Sequence, residues 1–271
     1  MSTTKAVILA RGLGTRMRQA DGTATVDPRQ AAVADQGIKA MIPIGRPFLD
    51  YVLSALADAG CRDICLVIGP EHSGVRDYYK RPGLLHRVRV SFAIQNHPLG
   101  TADAILAAER FVGEDRFLVM NADNYYPVGA YSALREMNEP GLVAFGRDAL
   151  LADGLIATDR IMRFALLDVD ANGYLRRIVE KPDNATATAM GHSALVSMNV
   201  WAFDRGIFEP CRTVRPSARG ELELPIAVQH AIDDYGCRFR AVPMHAPVLD
   251  LSSRADIAGV AERLAGVDVD L

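Results

Sequence analysis

The chain has no basic excess, no long apolar run, no closely paired cysteines and no internal repeat, and each absence removes a class of function. Its 271 residues carry a net charge of −3 with both signs interspersed. That argues against polymeric nucleic acid, whose binding leans on a basic face, so any recognition of negative charge must be local. No stretch reaches the eighteen or so apolar residues of a spanning helix, and Met-Ser-Thr-Thr-Lys opens the sequence without the basic, apolar and small-residue segments of a secretory leader. A soluble, cytoplasmic protein with no membrane partner is expected. Cys61, Cys65, Cys211 and Cys237 form no C-x-x-C pair, and the six histidines show no metal-ligand spacing, so the cysteines read as ordinary buried or partly buried thiols. Only residues 20–37 look like a loop without pattern.

What is present points to an α/β core. With 49% hydrophobic residues the chain can bury one large core, or a core with a subsidiary lobe, without disulfides. Short β-branched runs, KAVILA at 5–10, DICLVIG at 63–69, VRVSFAI at 88–94 and RFLVMN at 116–121, alternate with helical patterns at 46–60 and 101–112. This is the arrangement of βαβ units on a mostly parallel sheet. Gly60 suits the C-terminal cap of the first helix. Further on, 160–182 reads as a hairpin around Asn172-Gly173 and 193–204 as another strand, while 220–236 and 252–266 read as helices, the latter with Ser252 or Ser253 as N-cap.

VILARGLGTRMR, at 7–18, follows an apolar strand with glycines, a threonine and arginines. A dinucleotide fingerprint would need a third glycine where Met17 stands, which argues against a nicotinamide-dependent dehydrogenase; a Walker A loop would need a lysine that Gly14-Thr15-Arg16 lacks. A Gly-x-Gly-Thr-Arg turn remains, with Lys39 a loop later. Glycines let backbone N–H groups approach phosphate oxygens while guanidinium and ammonium groups offset a triphosphate's charge; a plain turn with solvated arginines is the alternative. Asp123 in NADNYYP and Asp250 in VLDLSS stand at strand ends, where open α/β sheets bind ligands. They could share one Mg²⁺, or each could cap a turn. Glu180 and Lys181 in IVEKP stand at another strand end, where an exposed ion pair is the alternative. In QNHPLGTADA, the Gln95 amide suits a base edge, Gly100 lets backbone approach the base, and Thr101 begins a helix.

Taken in order, ARGLGTRMR, KAMIPI, QNHPLGTADA, NADNYYP, VEKP, SMNVWAFD, GELELP and VLDLSS resemble the sugar-phosphate nucleotidylyltransferases, the pyrophosphorylases that make nucleotide sugars, over nearly the whole chain. The resemblance implies a Rossmann-like nucleotidyl-diphosphosugar transferase fold: a mixed, mostly parallel central sheet flanked by helices, with a smaller β-hairpin part for the sugar. It implies one domain over 1–271, with about 1–125 serving the nucleotide and about 126–271 the sugar phosphate. By the same resemblance, Ala10, Gly12, Gly14, Thr15 and Arg16 hold a nucleoside triphosphate with Lys39 near its phosphates, and Gln95, Gly100 and Thr101 serve the base side. Asp123 and Asp250 hold Mg²⁺, Lys181 the sugar phosphate, and Asn121, Glu180, Asn199 and Glu221 the sugar hydroxyls. Arg16, Lys39 and Lys181 are the implied catalytic cations.

The implied reaction is attack of a sugar 1-phosphate oxygen on the α-phosphorus of a nucleoside triphosphate, UTP or dTTP being favoured over GTP, with pyrophosphate leaving. Several departures bear on the acceptor more than on this chemistry. Arg11 stands where the family commonly has glycine, at the mouth of the nucleotide site. The stretch from Arg16 to Lys39 looks longer than the compact family loop, so 20–37 is expected to be a mobile flap ordered by ligand. IMRFALLDVD lacks a glycine that many members place close to the sugar, and LDLSS replaces Asp-x-Gly. Two alternatives stay open: the same transfer to a non-sugar phosphate such as a cyclitol phosphate or phosphocholine, and a catalytically silent homologue that binds a nucleotide sugar for regulation. A dimer or tetramer is common in the family.

Overall fold

A computed structural model describes residues 2–22, 24–152, 156, 158–161, 164–191 and 194–271. The four apolar runs of the N-terminal half become parallel neighbours, in the order Arg89–Ile94, Asp63–Ile68, Lys5–Leu9 and Phe117–Asn121. Their register places Leu9 beside both Val67 and Asn121, so the four carboxyl ends share one edge. Strand Leu195–Phe203 then runs antiparallel to Phe117–Asn121, with Val200 opposite Met120, which brings Asn199 to that same edge. Along its length it also pairs with Gly141–Phe145, itself parallel to Arg240–Met244, and with Ala165–Val169 of the expected hairpin, whose second arm is Leu175–Val179.

Both faces of this sheet are covered, which is why its strands read as unbroken apolar runs rather than alternating ones. Ala6 and Ile8 face a layer containing helices Phe48–Asp58, Val128–Glu136 and Asp256–Leu264, while Val7 faces Thr101–Ala107, Phe208–Thr213 and Leu224–Tyr235. The first of these helices ends as the pattern requires: Gly60 takes φ +93° and the N–H of Cys61 donates to Leu56 O, a closure that only glycine makes without strain. Cys61, Cys65 and Cys211 are buried free thiols, and burial pushes them up to about 12, 11 and 12 respectively. No helix among the described residues is long and apolar enough to cross a membrane.

Three expectations are corrected. Residues 28–36, expected within a patternless flap, form the helix Pro28–Gln36. The Asp27 carboxylate accepts from the N–H groups of Arg29 and Gln30 while the Gln30 side chain accepts from Asp27 N, a reciprocal cap with proline at the first helical position. The hairpin starts at Ala165, because Thr158–Ile161 is a helical turn; Met162, Arg163 and Ser193, which the pattern placed with these strands, lie outside the described residues. Neither Ser252 nor Ser253 caps the final helix. Instead the Asp256 carboxylate, inside its first turn, accepts from the N–H groups of Ser252 and Ser253 at 3.0 and 2.7 Å.

Candidate active site

The glycine turn is held by its own chain. Gly14 sits at φ +60° at the head of the one-turn helix Thr15–Arg18, and a Cβ there would collide with the backbone of Gly37 at the end of helix Pro28–Gln36. Arg18 Nη2 donates to Gln36 O at 2.8 Å, and Arg254 Nε donates to Met17 O at 3.0 Å. With Met17 fully buried, Thr15 and Arg16 are left exposed on the other side of the turn. Gly12 differs from Gly14: a Cβ there would meet nothing within 4 Å. Arg11 turns away to Glu71 at 3.3 Å, with its Nη1 buried and without a partner among the described residues. Ala10 anchors the strand end through its N–H to Val67 O.

Two carboxylates meet at the edge where the strands end. Asn124–Tyr125 pairs with Leu249–Asp250, Asp250 lying opposite Asn124, and Leu251 N donates to Asp123 O at 2.8 Å. Asp123 and Asp250, distant in sequence, thus become neighbours. Lys39, on the short turn Lys39–Met41, reaches Asp123 Oδ2 at 2.8 Å. Asp250 is buried and accepts from Asn124 Nδ2, Ser252 Oγ and Arg160. Burial, and then the adjacent Asp123 carboxylate, push Asp250 above the ordinary carboxylate range, with Arg160 and Lys39 opposing them.

A cavity of about 250 Å³ opens beside this pair, lined by Arg16, Arg160, Phe164, Lys181, Arg219 and Asp250. Four cations from four separated segments face one space, and Arg16 makes no ion pair among the described residues. Lys181 and Asn199 have backbone φ of +46° and +58°, the two non-glycine residues of positive φ among those described. Such strain persists where surrounding structure enforces it, and it clusters at functional sites. A model of the nucleotidyl transferase family matches residues 5–241.

The chain belongs to the nucleotidyl transferase family. Its relatives include the low-salt glycan biosynthesis nucleotidyltransferase Agl11 of Haloferax volcanii, 30% identical over 233 residues that make up 85% of this chain and 57% of the relative. Another is a glucose-1-phosphate thymidylyltransferase of Streptomyces antibioticus, 29% identical over 256 residues, 94% of this chain and 65% of the relative. The chain thus spans less than two thirds of the length of either. Among solved structures, the UTP-bound UGPase from Acinetobacter baumannii shares the fold with a TM-score of 0.73, over 98% of this chain and 95% of its own, at 20% identity.

In this member of the family the base-side candidates are more committed than their residue types suggest. Gln95 Nε2 donates to Gly100 O at 3.0 Å and to Asp103 Oδ2 at 2.8 Å, so its NH₂ locks the loop and its carbonyl oxygen is the end left to a ligand. Gly100, at φ +126°, is also required by packing: a Cβ there would collide with the backbone of Leu222, which docks on this loop through Leu222 N to Leu99 O and Ala102 N to Leu222 O. The Thr101 hydroxyl accepts from Leu224 N at 2.8 Å, at the start of another helix.

On the acceptor side, Asn121 ends its strand beside Leu9, and Asn199 carries a buried Oδ1 with no partner among the described residues. Glu221 is exposed and lies 3.5 Å from Arg219, whereas Glu223, two residues on, is buried, pairs with Arg219 at 2.7 Å and repels Glu180. Of the two, Glu223 lies in the interior beside Glu180. Sequence reasoning missed Glu223, Arg219 and Arg160. Only Glu223 left a signal, as the second glutamate of GELELP.

Burial, followed by repulsion from Glu223, raises Glu180 to about 7 despite Lys181 at 3.6 Å. The folded chain therefore holds a proton on Glu180 up to about pH 7, whereas the unfolded chain releases it near the ordinary 4.5. Between those values the folded state binds more protons, so stability falls as pH rises through this window, by about 3 kcal/mol at about 1.4 kcal/mol per pH unit. Urea unfolding is expected to show this decline from pH 5 to pH 8, and Glu180→Gln to flatten it. An unchanged slope in Glu180→Gln would remove Glu180 as its source.

Proposed function

We propose that this chain transfers a nucleotidyl group from a nucleoside triphosphate to a sugar 1-phosphate, releasing pyrophosphate. The observation that carries the reading is the single cavity in which Arg16, Lys181, Arg160 and Arg219 surround Asp250, beside the Asp123–Lys39 pair. The acceptor phosphate is already an anion, so no general base is required. A bond forms between its oxygen and the α-phosphorus, and the bond from that phosphorus to the bridging oxygen of pyrophosphate breaks in line. The difficulty is bringing two anions together. Unit charges about 4 Å apart repel by about 4 kcal/mol at an effective dielectric near 20, and several such pairs arise here.

The residues assign themselves to that task. Gly12 leaves room for a phosphate, Thr15 and Arg16 meet the triphosphate, and Lys181 orients the acceptor phosphate for in-line attack. The unpartnered Asn199 Oδ1 and the protonatable Glu180 offer hydrogen-bonding groups to acceptor hydroxyls. With its NH₂ committed, Gln95 can accept from a ring N–H, which uracil and thymine present, as does guanine. Oxygen donors alone, two carboxylates with phosphates and water completing the shell, suit Mg²⁺. Asp123 and Asp250 fit that role: they converge, one is buried, and the chain supplies a cation to each. The bound ion would neutralise charge developing on the phosphates.

Phe164, from the IMRFALLDVD stretch that lacks the glycine many members place close to the sugar, lines the cavity together with Lys181 and Arg219. This favours, as a second reading, a different phosphorylated acceptor such as a cyclitol phosphate. A matrix of nucleoside triphosphates against sugar and cyclitol phosphates, scored by pyrophosphate released, tests both. The expected result is activity with UTP or dTTP and one sugar 1-phosphate. Activity confined to a cyclitol phosphate selects the second reading, and release with no acceptor in the matrix defeats the first.

A further inference from the structure

We propose that Arg160 is a counter-cation that holds Asp250 in the metal-free protein and yields it when a divalent cation binds, freeing a guanidinium into the cavity shared with Arg16 and Lys181. The inference rests on the reading of Asp123 and Asp250 as metal ligands. Arg160 divides its terminal nitrogens between Asp250 and Asp256, with its side chain only 15% exposed. The other groups that touch the Asp250 carboxylate are neutral, Asn124 Nδ2 at 3.2 Å and Ser252 Oγ at 2.9 and 3.0 Å. Among the described residues, then, Arg160 supplies the one full positive charge in contact with this buried carboxylate, as Lys39 does for Asp123. Without cations, two carboxylates this close and this sheltered would repel strongly.

A divalent ion shared by the two carboxylates would set a double positive charge beside the guanidinium, so the two cations compete for Asp250. Asp256 makes the exchange workable. Its Oδ2 is fixed by Ser252 N, Ser253 N and Ser253 Oγ, while its Oδ1 takes Arg160. Arg160 can therefore leave Asp250 without losing its second anchor, and it already lines the cavity where two phosphorylated substrates must meet. Metal loading and the arrival of an additional phosphate-facing cation become one event, and Arg160 is a positioning residue that sets metal affinity.

The test is a calorimetric titration of Mn²⁺ into the full chain without nucleotide. Arg160→Gln is expected to bind Mn²⁺ at least tenfold more tightly than the unaltered chain, and Arg160→Lys, which keeps the charge, to stay within threefold. Equal affinities for the unaltered chain and Arg160→Gln overturn the proposal while leaving the metal site standing; absence of Mn²⁺ binding in both overturns the two together. A second measurement needs no variant. Phenylglyoxal labelling of the Arg160 peptide, read by mass spectrometry, is expected to rise at least fivefold at saturating Mn²⁺, and unchanged labelling overturns the proposal.

Discussion

Lys181→Ala is expected to lower pyrophosphate release about 10³-fold, equivalent to about 4 kcal/mol, while shifting thermal unfolding by only a few degrees. The two effects separate because of where the side chain sits. Lys181 is 40% exposed, and its one ion-pair partner among the described residues, Glu180, lies 3.6 Å away. With the ammonium end reaching solvent and the separation long, this pair contributes little to stability. What would disappear, on the proposed reaction, is the cation that holds the acceptor phosphate against the triphosphate, and its absence would be felt most where the two anions are forced together. Asp123→Ala is expected to lose activity on the same scale by the opposite route, leaving Lys39 without its partner and the proposed metal with one carboxylate. Near-normal rates in either variant, in a protein that still unfolds cooperatively, would count against the proposed reaction.

Two glycines of one turn are expected to fail in different ways. Gly14→Ala should destabilise the chain by more than about 2 kcal/mol, because alanine is strained at φ +60° and its Cβ would strike the Gly37 backbone, which has no flexible side chain to yield. Gly12→Ala meets no protein atom, so its unfolding free energy should stay within about 0.5 kcal/mol of the parent, while KM for the nucleoside triphosphate rises at least tenfold as the methyl group occupies the phosphate's path. Urea unfolding and steady-state kinetics on the pair measure both quantities. If Gly12→Ala proves as unstable as Gly14→Ala, or leaves KM unchanged, Gly12 does not face the nucleotide.

Much of the architecture was legible because it follows from local periodicity. KAVILA, DICLVIG, VRVSFAI and RFLVMN are apolar at consecutive positions because both faces of the sheet are covered, and Gly60 and Asn172-Gly173 mark turns through their own backbone preferences. The helix Pro28–Gln36 escaped for a related reason. Among its residues only Ala34 is buried, so no apolar stripe announces it, and the signal that remained, Asp27 and Gln30 flanking Pro28, is a capping signature without periodicity. Asp123, Asp250 and Lys181 were legible as strand-end residues. Glu223 left only a weak mark, because two glutamates two residues apart cannot be told apart without knowing which one the loop turns inward.

The sequence by itself determined the alternation of strands and helices, the sheet edge on which their ends fall, and the chemical types gathered there, since each depends on residues within a few positions of one another. Only the tertiary structure decided which of those residues touch. Strand pairing joined Asp123 to Asp250, and the packing of helical turns and loops carried Lys39 and Arg160 onto them and set Leu222 against Gly100 and Gly37 against Gly14. These contacts bring together segments from separate parts of the chain, and their existence depends on side-chain reach and on which faces the folded elements turn toward each other, neither of which a linear pattern encodes.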